Sequence, residues 1–245
     1  MTPSEARTEI SNLAVGLFRS GLAATVNTPV VAPLGASTVR VTWPAAGSAD
    51  QVMLSDLPFA SITAYRKMFL GNQFTALMKD GALLQISVDI NRDELVGHRF
   101  GYYPCPILIP EDFDVLDFDA LDLLLIYELE ANLQALETGT GPVSEQLRMR
   151  SPLRFDFAPD AATADEPASH VYLVNRDSRI AVQGPLSIGD FVRFIFKHVY
   201  QKAWNDQELS DLMRWPLRDM NRTITVEEES ALHVNCRRSI SAVRT

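Results

Sequence analysis

The clearest pattern along the chain is an alternation of apolar and polar residues over 147–157. Apolar side chains occupy most of the odd positions, while Arg148, Arg150, Arg154 and Asp156 occupy even positions. Successive side chains of a strand point to opposite faces of a sheet. The alternation therefore predicts a strand that places one face on the core and three arginines on the other.

Other strands are predicted from β-branched and aromatic segments bounded by turn residues. The Val- and Thr-rich stretch 24–50 predicts one or two strands, and Asp80-Gly81 is a strong signal for a hairpin. A second hairpin is predicted around Arg176-Asp177. The individual strand predictions, besides 147–157, are residues 38–43, 74–78, 82–90, 94–102, 170–175 and 178–182.

Helix starts are marked by capping residues at two places. Thr2 precedes Glu5 by three positions, and Ser187 precedes Asp190 by the same spacing. A hydroxyl followed by a carboxylate at this distance can satisfy the free amides of a first helical turn. Two further helices are predicted at residues 61–70 and 117–136.

These elements together predict an α+β fold. One antiparallel sheet, or a sheet split in two, is expected to pack against three to four helices. A single domain over residues 1–245 is the favoured organisation, and a subdivision near residues 138–146 is the alternative.

Composition is that of a globular protein, with 47% hydrophobic and 22% charged residues. Membrane association is not expected, because no window approaches the roughly 18 apolar residues of a spanning helix. The start of the chain does not resemble a secretory signal. Cys105 and Cys236 are far apart and have no CxxC partner. A cytoplasmic location is therefore expected, since isolated thiols are typical of a reducing compartment.

The negative charge is concentrated in one segment. The formal net charge is −9, and residues 111–137 contain nine acidic side chains and no basic one. The simplest interpretation is a solvated helix start, where the helix dipole favours negative charge. The alternative is a surface that mimics nucleic acid, repels it or docks on a basic partner.

Known catalytic and phosphate-binding motifs are not recognisable, and neither a cofactor nor a metal site is expected. One set of residues does combine useful chemistry, provided that the strands carrying them are neighbours: Arg154, Asp156, His170 and Arg179, with Arg99 as a further binding candidate. Two guanidinium groups would bind a phosphodiester or carboxylate. His170 could transfer a proton and Asp156 could orient its ring. An ion-pair network without function is the competing interpretation.

Several short segments resemble an uncharacterised prokaryotic family, domain of unknown function 2290, over roughly residues 60–204. They are Asp80 to Gln85, His98-Arg99, Tyr102 to Pro106, Arg154 to Phe157, Ser169 to Leu173, Arg179 to Val182 and Pro185-Leu186, followed by the helix through Phe191, Phe194-Ile195 and Tyr200. The sequence departs from the expected pattern at Tyr172, where a histidine or similar polar residue is expected. The resemblance implies no activity, because none is established for the family.

Three functions therefore remain open. Families of this kind often occur among mobile or anti-phage genes, which by association favours an accessory or regulatory protein of a prokaryotic defence or toxin–antitoxin type system. Such a protein would act through contacts with a partner encoded nearby. The first alternative is an enzyme that processes phosphodiesters or nucleotides, with a phosphate-bearing ligand or nucleic acid as its partner. The second is a sensor of a small anion.

Overall fold

A computed structural model describes residues 1–44, 62–139, 151–163, 166–173, 178–204, 220–230 and 233–234. Ten strands in these ranges form one open sheet, and all adjacent strands are antiparallel except the last pair. The predicted α+β class with an antiparallel sheet is confirmed. Helices pack on both faces of this sheet.

The strands, in chain order, are β1 (Ala23–Val26), β2 (Val30–Pro33), β3 (Thr38–Thr42), β4 (Ala76–Met78), β5 (Leu83–Asn91), β6 (Glu94–Tyr103), β7 (Leu153–Phe157), β8 (Ser169–Tyr172), β9 (Arg179–Val182) and β10 (His233–Val234). The helices are α1 (Pro3–Arg19), α2 (Ile62–Leu70), α3 (Phe118–Thr138), α4 (Ile188–His198), α5 (Gln201–Trp204) and α6 (Val226–Ser230). A short 3₁₀ helix, Pro159–Ala161, follows β7.

Strand β5 lies near the middle of the sheet. It pairs with β6 along its whole length, with β4 at its start and with β3 at its end. Beyond β6 the order is β7, β8, β9 and β10, so strands that follow one another in the chain also neighbour one another in the sheet. The strands on both sides of residues 138–146 belong to this one sheet.

The first face of the sheet carries the main apolar core. Helices α1 and α4 pack on it, and the capping pairs predicted at Thr2 and Ser187 are present. Burial of the apolar stripe of each helix explains why these segments are stable as helices. The core side chains include Ile10, Leu13 and Leu17 of α1, Phe191, Ile195 and Phe196 of α4, and Ile86, Phe100 and Phe155 of the sheet.

The second face is covered at one end by α2 and α3. Tyr65 and Phe69 of α2 and Leu121 of α3 pack there with Leu83 and Tyr103 of the sheet. Asp117 caps α3, and Gly139 ends it in a left-handed conformation (φ 62°) that favours glycine. The rest of this face, over β6 to β9, is polar.

The strand predicted at residues 147–157 is observed over its described part, whereas the prediction for residues 24–50 contains too few strands. Residues 153–157 form a strand with Leu153, Phe155 and Phe157 on the core side, as the alternation predicts. Arg148, Arg150 and the turn at 176–177 lie outside the described residues. The stretch 24–50 contains three strands rather than one or two. Only residues 38–43 are assigned to a particular strand in this stretch. Strand β2 is hard to recognise because it is largely exposed, pairs with β3 alone within the described sheet and ends at Pro33.

Candidate functional site

Register in the sheet aligns the candidate residues in two rows. The first row runs across three strands, with Arg99 opposite Asp156 and Asp156 opposite His170. The second row is two residues further along, where Arg154 is opposite Tyr172 and Tyr172 is opposite Arg179. Directly opposite residues of antiparallel strands share a face. All five residues singled out from the sequence therefore lie on the second face.

We call this surface the arginine face. It is defined by the five predicted residues and two tyrosines, namely Arg99, Tyr103, Arg154, Asp156, His170, Tyr172 and Arg179. Its centre is buried, with Arg154, Asp156 and His170 at most 7% exposed. At its sides, the side chains of Arg99 and Arg179 retain 28% and 24% exposure. Solvent therefore reaches the face at the side chains of Arg99 and Arg179.

Asp156 is shared between two arginines. Its Oδ2 is 3.1 Å from Nη2 of Arg154, and its Oδ1 is 3.7 Å from Nε of Arg99, which is too long for a hydrogen bond. Burial lowers the pKa of Arg154, but the Asp156 carboxylate and the neighbouring tyrosines raise it by more. The guanidinium therefore stays charged although it is buried.

Tyr172 contacts the guanidinium groups of Arg154 and Arg179 through its ring and its hydroxyl. The Arg154 guanidinium carbon lies 4.1 Å from the ring centre, within cation–π distance, and that of Arg179 lies 5.7 Å away. Arg179 also donates from Nε to the Tyr172 hydroxyl at 3.2 Å and pairs with Glu166 at 3.5 Å. The residue that departs from the expected family pattern is thus the one that orders both arginines.

Tyr103 completes the face from β6 and was missed in the sequence. A Cβ atom on Gly101 would lie 2.5 Å from Cε2 of Tyr103, so glycine is needed for this ring to lie where it does. Burial raises the pKa of the Tyr103 hydroxyl, while Arg154 and Arg99 act in the opposite direction. The hydroxyl therefore belongs to the electrostatic environment of the arginines. The available signal was the spacing Gly101-x-Tyr103, which places both residues on one face of a strand.

His170 is oriented by the backbone rather than by Asp156. Its Nδ1 lies 2.7 Å from the carbonyl oxygen of Pro167. A carbonyl can only accept, so Nδ1 carries the proton and Nε2 of the neutral ring is an acceptor. This Nε2, Oδ1 of Asp156 and Nε of Arg99 are buried and have no hydrogen-bond partner within the described ranges. The orienting role expected for Asp156 is thus filled by Pro167, and Asp156 faces the arginines.

Comparison with known proteins identifies the family but no activity. One family, described as an uncharacterized conserved protein, DUF2290, matches residues 22–236. The chain belongs to this family. The resemblance inferred from the short motifs is therefore confirmed, and the match is longer than the segment those motifs span. No curated protein and no solved structure matches the chain.

The family match includes every residue of the arginine face. Its limits, 22 and 236, also enclose all ten strands of the sheet. Among the described residues, no three side chains of His, Cys, Asp or Glu are placed to hold a metal ion. Within the same ranges, no helix is long and apolar enough to cross a membrane.

Proposed function

We propose that this protein binds a phosphate-bearing ligand, a nucleotide or a nucleic-acid phosphodiester, at the arginine face. The observation that carries the proposal is the sharing of one buried carboxylate, Asp156, by Arg99 and Arg154. Of the seven residues that define the face, three carry a guanidinium group and Asp156 carries a carboxylate, while Glu166 pairs with Arg179 from outside this set. A bound anion would share these guanidinium groups with Asp156.

Burial of the face strengthens its attraction for an anion. Charges interact more strongly where water is partly excluded, and guanidinium groups bind phosphate oxygens through charge-assisted hydrogen bonds. Arg99 and Arg179 stand at the solvent boundary on either side of the buried centre. They would therefore meet the ligand first, and Arg154 would bind it from within.

His170 supports a hydrolytic step on such a ligand. Its Nε2 is an acceptor and lies on the same face as the three arginines. In the proposed step, water attacks phosphorus and gives its proton to Nε2. The bond from phosphorus to the leaving ester oxygen breaks, and that oxygen takes the proton from the imidazolium. The arginines stabilise the charge on the phosphoryl oxygens.

The test compares single substitutions on this face with a matched control. Arg99→Ala should weaken binding of fluorescent nucleotides and labelled oligonucleotides about tenfold. Arg66→Ala removes an equal charge from the Arg66–Asp122 pair between α2 and α3 and should leave binding unchanged. Equal effects of the two substitutions would contradict the proposal. His170→Gln should preserve binding and reduce turnover of the nucleotide or oligonucleotide by about a hundredfold.

A measurement of turnover distinguishes the proposed enzyme from the alternative function as a small-anion sensor. A wild-type protein that binds phosphate or nucleotides at Arg99 but converts none of them would act as a sensor. We place either role in the cytoplasm, since two cysteines far apart in the sequence and without a CxxC partner are typical of a reducing compartment.

The accessory role in a prokaryotic defence or toxin–antitoxin type system remains a separate proposal. It is supported by the acidic segment at residues 111–137 and by the association of such families with anti-phage genes. Co-expression with the products of neighbouring genes, followed by purification and light scattering, tests it. A protein that no neighbouring product retains would argue against this role.

A further inference from the structure

A cleft of about 650 Å³ opens beside β1 and the turn between β4 and β5. Phe18 at the end of α1, the turn at Lys79-Asp80 and the loop 109–116 form its walls. No residue of the arginine face lines it, so whatever it binds is distinct from the proposed phosphate ligand.

Large apolar side chains are exposed at this cleft. Phe18 and Leu116 are 54% and 50% exposed, and both line it together with the half-buried Ile109 and Phe113. Covering such side chains releases water and is favourable. Aromatic and large aliphatic groups around a concave site are typical anchors of protein interfaces.

Local hydrogen bonds hold the wall of the cleft in place. The amide of Phe113 donates to the carbonyl of Pro110 at 3.1 Å, and that of Leu116 donates to Oδ1 of Asp114 at 2.9 Å. A loop that is already ordered loses little conformational entropy on binding. The cleft is thus preformed, and its exposed side chains form the surface that a partner can contact.

Charge determines the kind of partner. Glu111 and Asp114 line the cleft with exposed carboxylates, and they belong to the acidic segment 111–137. Asp80 accepts from the Tyr200 hydroxyl at 3.0 Å and is therefore already used within the fold. Lys79 contributes a single ammonium group to the lining within the described residues. The resulting negative field favours a basic segment over an acidic one.

We propose that the cleft docks a segment of a protein partner that carries a large apolar side chain flanked by lysine or arginine. The apolar side chain inserts between Phe18 and Leu116, and the basic residues pair with Glu111 and Asp114. This inference does not depend on phosphate binding at the arginine face. It gives the accessory role a defined surface and a defined partner chemistry.

Synthetic peptides test this directly by fluorescence anisotropy. The probe is a short labelled peptide with one Leu and one Phe among lysines in a Gly/Ser background. Its two matched controls replace the lysines by Glu, or the Leu and Phe by Ser. We expect the wild-type protein to bind the basic apolar peptide at least about tenfold more tightly than either control. Failure to bind it, or equal binding of the controls, would overturn the proposal.

Variants locate the binding on the protein. The double change Phe18→Ser with Leu116→Ser should weaken peptide binding about tenfold, while nucleotide binding stays unchanged. Glu111→Gln with Asp114→Asn should weaken it several-fold and reduce its dependence on salt, because two carboxylates are lost. The amide oxygen that replaces the Asp114 carboxylate can still accept from the amide of Leu116, so the loop is kept. Val226→Ser, at a 79% exposed apolar position outside the cleft, is the control and should have no effect.

Two results would refute the proposed occupant. Equal peptide affinity for wild type and both double variants would place binding elsewhere. A wild-type dimer in sedimentation velocity that Phe18→Ser with Leu116→Ser converts to monomer would show that a second copy of the chain covers the cleft instead.

Discussion

Strands β6 to β9 contribute to two different faces of the sheet. One face packs in the apolar core and the other is the polar arginine face. His98 and His170 show the difference most directly, since both are buried and lie on strands that flank β7. His98 faces the apolar core, where its Nε2 accepts from the amide of Leu186 at 3.0 Å and its ring stacks on Phe100 at 4.2 Å. His170 faces the arginines, and its Nε2 has no partner in the described structure.

The comparison distinguishes two environments of a buried histidine. Each ring has one nitrogen with a hydrogen-bond partner and one without a partner in the described structure, but the ring of His98 is packed against Phe100 and Phe157 in the core. A buried acceptor that the fold leaves unused, next to charged groups that reach solvent, is typical of a site for a ligand. Four predictions examine this contrast, beginning with the largest effect.

Phe191→Ala should produce the largest loss of stability. The ring is fully buried and packs against Phe100 at 5.4 Å and Phe155 at 6.0 Å, so its removal leaves a cavity between α4 and the sheet. The free energy of unfolding in urea should fall by about 3–5 kcal/mol. Phe18→Ala, at a half-exposed position, is the control and should change it by less than about 0.5 kcal/mol. Similar values for both would mean that α4 does not anchor the core face.

Asp156→Asn should destabilise the protein by about 3 kcal/mol, because it leaves Arg99 and Arg154 without their shared carboxylate. If the arginine face binds anions, millimolar phosphate should restore part of this loss in urea titrations.

The control for this prediction is Asp89→Asn. Asp89 forms a bidentate pair with Arg40, at 2.7 and 2.8 Å, and among the described residues it is not shared with a second arginine. Phosphate should stabilise this variant less than Asp156→Asn. An equal recovery of both would show that phosphate acts on arginines in general and not on the proposed site.

Acid should destabilise the protein through His98. Burial lowers its pKa from 6.5 to about 4, so the unfolded chain takes up a proton at a pH where the folded chain does not. The contribution of uncharged His98 to the free energy of unfolding is fully present above pH 6.5. It decreases by about 3 kcal/mol as the pH falls towards 4. Urea unfolding between pH 7 and pH 4 measures the loss.

His98→Gln isolates this contribution, since glutamine can accept from Leu186 but does not titrate. The difference in unfolding free energy between wild type and variant should shrink as the pH falls. A difference that is constant with pH would show that His98 does not take part in acid unfolding.

Tyr172→Phe should have the smallest effect. It removes the hydroxyl that accepts from Arg179 but keeps the ring under Arg154, so a loss of about 1 kcal/mol is expected. Tyr172→Leu removes the ring as well and should cost about 1 kcal/mol more. Both are measured by urea unfolding. Equal losses would indicate that the cation–π contact contributes nothing.

Much of the local structure could be predicted because its causes are local. The caps at Thr2 and Ser187 depend on residues three positions away, and the hairpin at Asp80-Gly81 depends on a positive φ of 77° at Gly81. The alternation around Arg154 and Asp156 places them on one face whatever the strand's neighbours are. The roles of the candidate site residues stay predictions.

The amino-acid sequence by itself determined the family, the α+β class, most of the longer elements and the side of its strand on which each candidate charged residue lies. Only the tertiary structure decided that β6 to β9 are neighbours, that Asp156 serves two arginines and that Pro167 orients His170. It also brought Tyr103 to the face through the space left by Gly101. The physical reason is that periodicity and capping act over a few residues. Strand order, register and shared ion pairs instead depend on segments that meet only when the whole chain has folded.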